Sequence, residues 1–263
     1  MMSKALHAIW KWFFGAAAAL GGGGRRGLSA YLLNACSLPV AWLPALPGFG
    51  TLVRRDELLN IQDNFFEGTL RFREMEEAMR GTAEPFVLDL GVNVGVTVRW
   101  WFHLNPRAQV VAVDMMREAH AFAQQRLAAV RADAVARVRW VECVVSDEAG
   151  TTEVAFDDPL FGMNRADASA AGGSRRLLAS ATVDSLLADQ MPDEVFLCKV
   201  DIEGAGGRAL AGASRVLART RFLVVEYHDP DEVASMTRSA VAAGLDLVRA
   251  NPKMLFFERR PAR

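Results

Sequence analysis

The chain has 263 residues, of which 51% are hydrophobic and 23% are charged, and its formal net charge is −1. This is the composition of a globular protein with one main hydrophobic core. A near-neutral charge with scattered arginine pairs provides no basic surface for nucleic acid, so we expect no nucleic-acid partner. The three cysteines lack metal-ligand spacing, which indicates neither a disulfide framework nor a zinc site and favours a cytoplasmic location.

The amino-terminal segment 5–20 reads ALHAIWKWFFGAAAAL, with apolar side chains at helical spacing. The pattern predicts an amphipathic helix that is too short and too interrupted to span a bilayer. Three interpretations fit it: a secretory signal, a peripheral anchor at the inner face of the membrane, and a helix docked on the domain or on a second subunit of a homodimer. We favour the docked helix.

The next segment, residues 28–50, stays apolar but contains Pro39, Pro44 and Pro47, which interrupt any long helix. A charged stretch with a helical pattern follows at 54–80. We therefore divide the chain into an extension, residues 1–80, and a main domain, residues 81–263. The extension would serve as a lid, a dimer arm or a membrane-facing segment.

From residue 85 onward, predicted strands and helices alternate. The strands are PFVLDL, QVVAVD, RVRWVECVVS, EVFLCKVD and RFLVVEYH, with a closing pair, DLVRA and MLFFERR. The helices are VGVTVRWWFHL, REAHAFAQQRLAAVRA, AGGRALAGASRVLART and DPDEVASMTRSAVAAG, and the polar segment 147–193 contains a further one, TVDSLLADQ. This alternation predicts an α/β fold with a doubly wound, mostly parallel, Rossmann-like sheet of seven strands.

Carboxylates follow five of the predicted strands. They are Asp89, Asp114, Asp147, Asp201 and Glu226. An acid in such a position can simply cap the next helix. Because ligands of open α/β sheets bind beside the carboxyl ends of the strands, five acids at one edge also indicate a binding site.

The loop after the first of these strands reads GVNVG, with Gly91 and Gly95 four positions apart. The two glycines would let the backbone turn tightly and come close to a ligand. A dinucleotide fingerprint needs a third glycine, and no GxxxxGK[ST] phosphate loop is present. Asp114 follows Gly91 by 23 positions, a spacing that suits a carboxylate accepting hydrogen bonds from a ribose diol.

These features of the sequence indicate a cofactor that has a ribose, lacks a phosphate and suits several carboxylates around it. S-adenosylmethionine matches this description. We expect Asp89 near its amino-acid tail and Asn93 in contact with it from the glycine loop. Asp114 and Met115 would lie at the ribose, while Ser146 and Asp147 would meet the adenine edge.

Several motifs, taken together in their order along the chain, resemble the FkbM family of S-adenosylmethionine-dependent methyltransferases. They are DLGVNVG, VRWVECVVSDEAGTTEV, TVDSLL, KVDIEGAGGRALAGA and VVEYH, and they extend from about Pro85 to Glu258. The resemblance implies a class I methyltransferase fold and O-methylation of a hydroxyl on a sugar, a lipid or a secondary metabolite. The chain departs from the family pattern at Met115, where proline is usual, and at Gly206, where a second glutamate is common.

Methyl transfer to a hydroxyl calls for a general base within hydrogen-bond reach of the acceptor. Asp201 is our candidate, with Glu203, Glu226 and His228 assisting at the same edge. His228 could be the base instead, because its ordinary pKa lies near working pH.

Other interpretations of these residues remain open. Asp201, Glu203 and His228 could bind a divalent cation, although we assign no metal ligand. Trp100 and Trp101 are expected in the core rather than in an aromatic cage for the sulfonium. At the level of function, the alternatives are an NAD-dependent oxidoreductase and an inactive methyltransferase-like scaffold docked on a membrane.

Overall fold

The structure is a computed structural model that describes residues 40–46, 50–54, 57, 60, 61, 64, and 68–259 except 157 and 161–173. The helix predicted at 5–20 lies outside the described residues. The chain forms two compact units, Met1–Arg71 and Phe72–Arg263. The domain boundary that we placed after residue 80 stays a prediction.

The first unit contains an antiparallel pair of strands, β1 (Val40–Leu46) and β2 (Gly50–Arg54). Val40 pairs with Arg54, and the register shifts between Trp42 and Leu46. Pro44 lies in this irregular part, where a residue without a backbone N–H is tolerated. We had predicted only that this segment contains no long helix.

The second unit contains a seven-stranded sheet and the helices that cover it. The strands of this sheet are β3 (Phe86–Leu90), β4 (Gln109–Asp114), β5 (Val138–Glu142), β9 (Val195–Val200), β10 (Thr220–Glu226), β11 (Asp246–Ala250) and β12 (Met254–Glu258). The α-helices are α1 (Arg73–Gly81), α2 (Val96–Leu104), α3 (Arg117–Arg131), α4 (Val183–Leu186), α5 (Gly206–Ala211), α6 (Ser214–Leu217) and α7 (Pro230–Ala242). A 3₁₀ turn, Ala132–Arg137, follows α3.

The strand order is β11-β12-β10-β9-β3-β4-β5. Only β12 runs against its neighbours β10 and β11, so six of the seven strands are parallel. The central strand β9 is buried along its whole length, as expected for a parallel sheet covered on both faces. The predicted α/β, doubly wound, mostly parallel fold is confirmed. Trp100 and Trp101 are buried, with 8% and 0% exposure, so their assignment to the core is also confirmed.

The predicted strand RVRWVECVVS was wrong as a single element, because the chain leaves the main sheet at Cys143. Its second half, β6 (Val144–Ser146), joins β7 (Gly150–Phe156) and β8 (Ser174–Thr182) in a separate sheet of order β6-β8-β7. The segment 147–193 therefore holds two strands that we did not predict. The helix predicted as TVDSLLADQ is a single turn, α4, capped by the Thr182 hydroxyl, which accepts a hydrogen bond from the Ser185 N–H at 3.1 Å.

The helix predicted as AGGRALAGASRVLART is split into α5 and α6. A Cβ on Gly212 would lie 2.8 Å from the Ser146 carbonyl oxygen, so the second sheet approaches the chain closely at this break. The Asp184 carboxylate then accepts hydrogen bonds from the Arg215 and Val216 N–H groups at 3.0 and 2.9 Å. These contacts start a new helix. Among the described residues, no helix is long and apolar enough to cross a membrane.

Helix α3 carries a buried histidine, His120, whose ring lies edge-on to Trp140 of β5 at 5.5 Å between centroids. Its Nε2 and the Trp140 Nε1 are buried and have no hydrogen-bond partner among the described residues. Burial lowers the pKa of His120 to about 4, and the Glu142 charge opposes only part of this effect.

We predict that His120 makes the protein sensitive to acid. Between pH 6.5 and about 4 the unfolded chain binds a proton on this side chain that the folded state does not, so stability falls as pH falls through this window. The lost free energy of unfolding is about 3 kcal/mol, from 1.36 kcal/mol for each pKa unit. In His120→Phe the loss between pH 7 and pH 4.5, measured by urea unfolding, should be smaller than in the wild type; an equal loss would contradict this account.

Candidate active site

One row of residues crosses the carboxyl edge of the main sheet. The register pairs Leu90 with Val113 and with Val200, and Val200 with Val225. The next residue on each strand therefore lies in the order Asp114, Gly91, Asp201, Glu226. Three of the five predicted carboxylates thus lie in this row. Asp201 and Glu226 are adjacent, and Gly91 separates them from Asp114.

The packing of the fold, rather than a ligand, requires glycine at position 91. Its N–H donates to the Val113 carbonyl at 2.9 Å, and its φ is +81°. A Cβ at this position would lie 1.7 Å from the Asp201 carbonyl oxygen, far inside contact distance. We had attributed this glycine to close approach of a ligand, but the approaching group is the backbone of Asp201.

Asp114 organises the rest of the glycine loop. Its carboxylate oxygens accept hydrogen bonds from the N–H groups of Asn93 at 2.8 Å and Met116 at 2.9 Å. Asn93 has a left-handed φ of 44°. Gly95 follows with a φ of +74°, and a Cβ there would lie 2.5 Å from the Ala123 Cβ of α3. The loop is therefore folded by Asp114 on one side and by close contact with α3 on the other.

The chemistry of Asp114 fits the ribose of an adenosyl cofactor. Each carboxylate oxygen accepts one backbone hydrogen bond and keeps a lone pair for a hydroxyl. Burial raises the pKa of Asp114, and the hydrogen bonds from Met116 and Asn93 offset only part of that rise. Met115 is half-buried beside a small apolar cluster built around Met116 and Ala119.

Asp89 lies behind the loop, completely buried. Its Oδ2 accepts hydrogen bonds from the Thr97 hydroxyl at 2.6 Å and the Trp101 indole N–H at 2.7 Å. Its Oδ1 lies 3.3 Å from the Lys199 Nζ, as an ion pair without hydrogen-bond geometry. The predicted contact between Asp89 and the cofactor tail stays a prediction, and this internal position does not favour a direct one.

Asp201 and Glu226 follow the adjacent strands β9 and β10, and their carboxyl groups form a hydrogen bond. Burial raises the pKa of Asp201, but the Lys199 ammonium 3.2 Å away and a hydrogen bond with Glu226 outweigh it, and the pKa falls below its ordinary value. Burial and the Asp201 charge raise the pKa of Glu226 to about 8. At neutral pH, Glu226 therefore holds the proton and Asp201 is ionised.

His228 lies beside this pair. Its Nε2 is 3.1 Å from a Glu203 carboxylate oxygen and 3.9 Å from one of Glu226. The hydrogen bond with Glu203 raises the pKa of His228. Polar atoms of Asp201, Glu226 and His228 lie within 4.8 Å of one another, a spacing that could hold a cation. Glu203 instead contacts the imidazole, so the trio we considered as an alternative cation site, Asp201, Glu203 and His228, is not the one that converges, and we assign no metal.

Ser146 and Asp147 belong to the second sheet rather than to the main one. Ser146 ends β6 and Asp147 follows it, and the Ser146 hydroxyl donates to the Asp147 carboxylate at 2.9 Å. They line a polar cleft of about 410 Å³ together with Ser180 and Arg208. Placing Asp147 at the same sheet edge as the other acids was wrong, because the strand breaks at Cys143. Their contact with adenine stays a prediction.

The sequence analysis did not identify Lys199. This residue lies in β9 with its side chain 2% exposed, and its Nζ donates to the Gly91 carbonyl at 2.9 Å. One signal was present, since it is the single charged residue in the apolar run VFLCKV. A buried charge in a central strand requires partners, and the adjacent aspartates could have suggested them.

Comparisons with known proteins agree with this geometry. Residues 89–249 match the family described as Methyltransferase FkbM domain. A curated relative, the 2-O-methyltransferase NoeI of Sinorhizobium fredii, is 24% identical over 166 residues, which cover 56% of this chain and 65% of that protein. The aligned part is thus slightly under two thirds of the relative's length.

Solved structures show a distant likeness. A METTL16 methyltransferase domain has a TM-score of 0.47 and 10% identity, covering 92% of this chain and 98% of that one. A precorrin-6y C5,15-methyltransferase from Geobacter metallireducens has a TM-score of 0.42 and 11% identity, covering 74% and 92%. These likenesses are too remote to bear on the substrate.

The family match and the Rossmann-like sheet define this unit as an S-adenosylmethionine-dependent methyltransferase domain. Within that class, the chain belongs to the FkbM methyltransferase family. The family resemblance seen in the sequence is confirmed.

We predict that Gly91→Ala is strongly destabilising, because the new methyl group would overlap the Asp201 carbonyl at a left-handed φ. The expected loss in free energy of unfolding is about 3 kcal/mol or more. Gly81→Ala is the matched control, since a Cβ there has no neighbour within 4 Å. Equal stability of the two variants in thermal unfolding would refute the close approach.

Proposed function

We propose that this methyltransferase transfers the methyl group of S-adenosylmethionine to a hydroxyl of a small, polyhydroxylated acceptor, and that Asp201 receives the hydroxyl proton. The observation that carries this proposal is the adjacency of the Asp201 and Glu226 carboxyl groups beside the Gly91 turn. The curated relative is a 2-O-methyltransferase, which supports oxygen as the methyl acceptor.

Asp114, Asn93 and the backbone of the glycine loop would hold the cofactor. The loop presents Asn93 at a left-handed φ and Asp114 at the strand end, while Gly91 and Gly95 keep its backbone close to β9 and α3. The bound cofactor supplies an electrophilic methyl group on a sulfonium. Asp201 follows Gly91 in the row across the sheet edge, so a hydroxyl bound near Asp201 would lie beside the cofactor site.

The proton chemistry assigns different roles to the two carboxyl groups. Asp201 is ionised at neutral pH and is the more exposed of the two, with 24% of its side chain accessible, against 18% for Glu226. Glu226 holds its proton up to pH of about 8 and thereby weakens Asp201 as a base. Loss of that proton leaves two charges together, which makes Asp201 a stronger acceptor for the hydroxyl proton.

The side chains around the pair favour a neutral acceptor with several hydroxyls. Asp201, Glu203 and Glu226 offer carboxyl oxygens, and His228 offers a ring nitrogen, all partly exposed. Carboxylates accept hydrogen bonds from hydroxyl groups and repel anions. A sugar or a hydroxylated natural product fits this surface better than a phosphorylated compound does.

Neither alternative function is favoured. The family match argues against an NAD-dependent oxidoreductase, and an intact acid–base pair gives no support to an inactive scaffold. We also propose that residues 1–80 serve as a lid, a dimer arm or a membrane-facing segment.

We predict that Asp114→Asn weakens S-adenosylhomocysteine binding roughly 10- to 100-fold, the cost of losing a hydrogen bond to a charged group. The amide keeps one acceptor oxygen and turns an N–H₂ group towards the N–H of Asn93 or Met116. Isothermal titration calorimetry gives the Kd. Asp193→Asn is the matched control, because that carboxylate is exposed and has no assigned role in the site, and we expect an unchanged Kd; an equal loss there would contradict the assignment of Asp114.

We predict that Asp201→Asn keeps cofactor affinity and lowers kcat about 100-fold or more, the usual cost of losing a general base. Transfer of a labelled methyl group to a panel of sugars and hydroxylated natural products gives the rate. Unchanged turnover would remove Asp201 from the mechanism.

The wild-type rate should rise as pH increases through about 8, where Glu226 loses its proton. Glu226→Gln should remain close to wild type at pH 7, because the amide also donates a hydrogen bond to Asp201, and should lack the rise. A rise that persists in Glu226→Gln would show that another group titrates.

A further inference from the structure

Lys199 is a buried charged residue that lies next to the proposed base, Asp201. It is 1% exposed and lies in the central strand β9. Its Nζ donates to the Gly91 carbonyl at 2.9 Å and lies 3.3 Å from Asp89 Oδ1 and 3.2 Å from Asp201 Oδ2. The ammonium is thus surrounded by one backbone carbonyl and two carboxylates.

Stability alone does not explain a lysine here. Removing an ammonium and two carboxylates from water costs several kcal/mol for each ion, and apolar residues of similar volume are often equally or more stabilising. The other residues of β9 are apolar and buried, so an apolar side chain would suit this position. An ion pair kept in such a place suggests a role in fixing geometry or charge.

The three groups that contact Lys199 differ in how firmly the surrounding structure holds them. Asp89 is its direct register partner on the neighbouring strand and is completely buried. Asp89 is also fixed by hydrogen bonds from Thr97 and Trp101 of α2. The Gly91 carbonyl belongs to the glycine turn, which is held by the Val113 carbonyl. Asp201 is the partner whose side chain reaches the surface, with 24% exposure.

We propose that Lys199 is a positioning residue for methyl transfer: it ties the Asp201 carboxylate to the glycine turn and to Asp89, and keeps it ionised and in one place beside the cofactor loop. This inference rests on the proposed function of Asp201 as the base. Burial lowers the pKa of Lys199, but Asp201 and Asp89 outweigh it and raise the pKa overall, so the ammonium stays charged at any working pH.

A purely structural role and this electrostatic role make different predictions for the Asp201 and Glu226 pair. An opposite charge within about 4 to 6 Å lowers a carboxyl pKa by roughly 1 to 3 units. If Lys199 sets the charge state, its removal must move the titration of the pair to higher pH. If it only supports the fold, removal changes stability and leaves the titration in place.

The test is ¹³C NMR titration of the side-chain carboxyl groups in Lys199→Met, with the signals of the pair assigned through Asp201→Asn and Glu226→Gln. We expect both steps of the pair to move up by at least about one pH unit. We also expect the acid limb of the kcat profile to move in the same direction, with S-adenosylhomocysteine affinity less affected than kcat.

Because Lys199→Met leaves the buried Asp89 and the partly buried Asp201 without a cation, a second variant is needed in case the first does not fold. The double variant Lys199→Met/Asp89→Asn removes one of those charges, and the asparagine oxygen can still accept from Thr97 and Trp101. Asp89→Asn alone is the control, since Lys199 still faces Asp201 in it and the pair should not move to higher pH.

An upward shift in the double variant but not in Asp89→Asn supports the proposal. An unmoved titration in the folded double variant overturns it. The NMR readout does not need turnover, so a failure of the proposed O-methylation would appear separately, as a wild-type protein that binds the cofactor but methylates no hydroxyl.

Discussion

The backbones of Gly91 and Asp201 meet so closely that no side chain fits between them, and the geometry of the site depends on this contact. β3 and β9 are adjacent and parallel, so the turn after one strand lies against the first residue beyond the other. A Cβ on Gly91 would come within 1.7 Å of the Asp201 carbonyl oxygen. The loop that would carry the cofactor and the residue that would accept the proton are therefore held together by backbone sterics.

Charges of alternating sign extend from this contact towards the surface. Asp89, Lys199 and Asp201 follow one another from the buried core to the sheet edge, at 3.3 and 3.2 Å. Glu226 comes next, followed by His228, whose Nε2 contacts Glu203. Removing any inner member would leave a buried charge without its partner, so stability and reactivity are coupled in this row.

Much of the fold could be predicted from the sequence, because apolar strand runs and helical periodicity alternate from residue 85 onward. The break at Cys143 could not, since VECVV has the same β-branched character on both sides of it and only tertiary pairing decides which sheet each half joins. Asp114 and Asp201 were predictable from their positions at strand ends. Lys199 was missed, and the complete burial of Asp89 was not predicted, because burial and the direction of a side chain depend on neighbouring strands rather than on local sequence.

The most direct measurement is a crystal structure of the protein with S-adenosylhomocysteine. The account predicts ribose hydroxyls on Asp114, and a sulfur atom that faces an open space bordered by Asp201 and Glu226 and large enough for a sugar hydroxyl. A sulfur atom directed away from these two carboxyl groups, or a ribose bound without Asp114, would contradict the assignment of this edge as the site of methyl transfer.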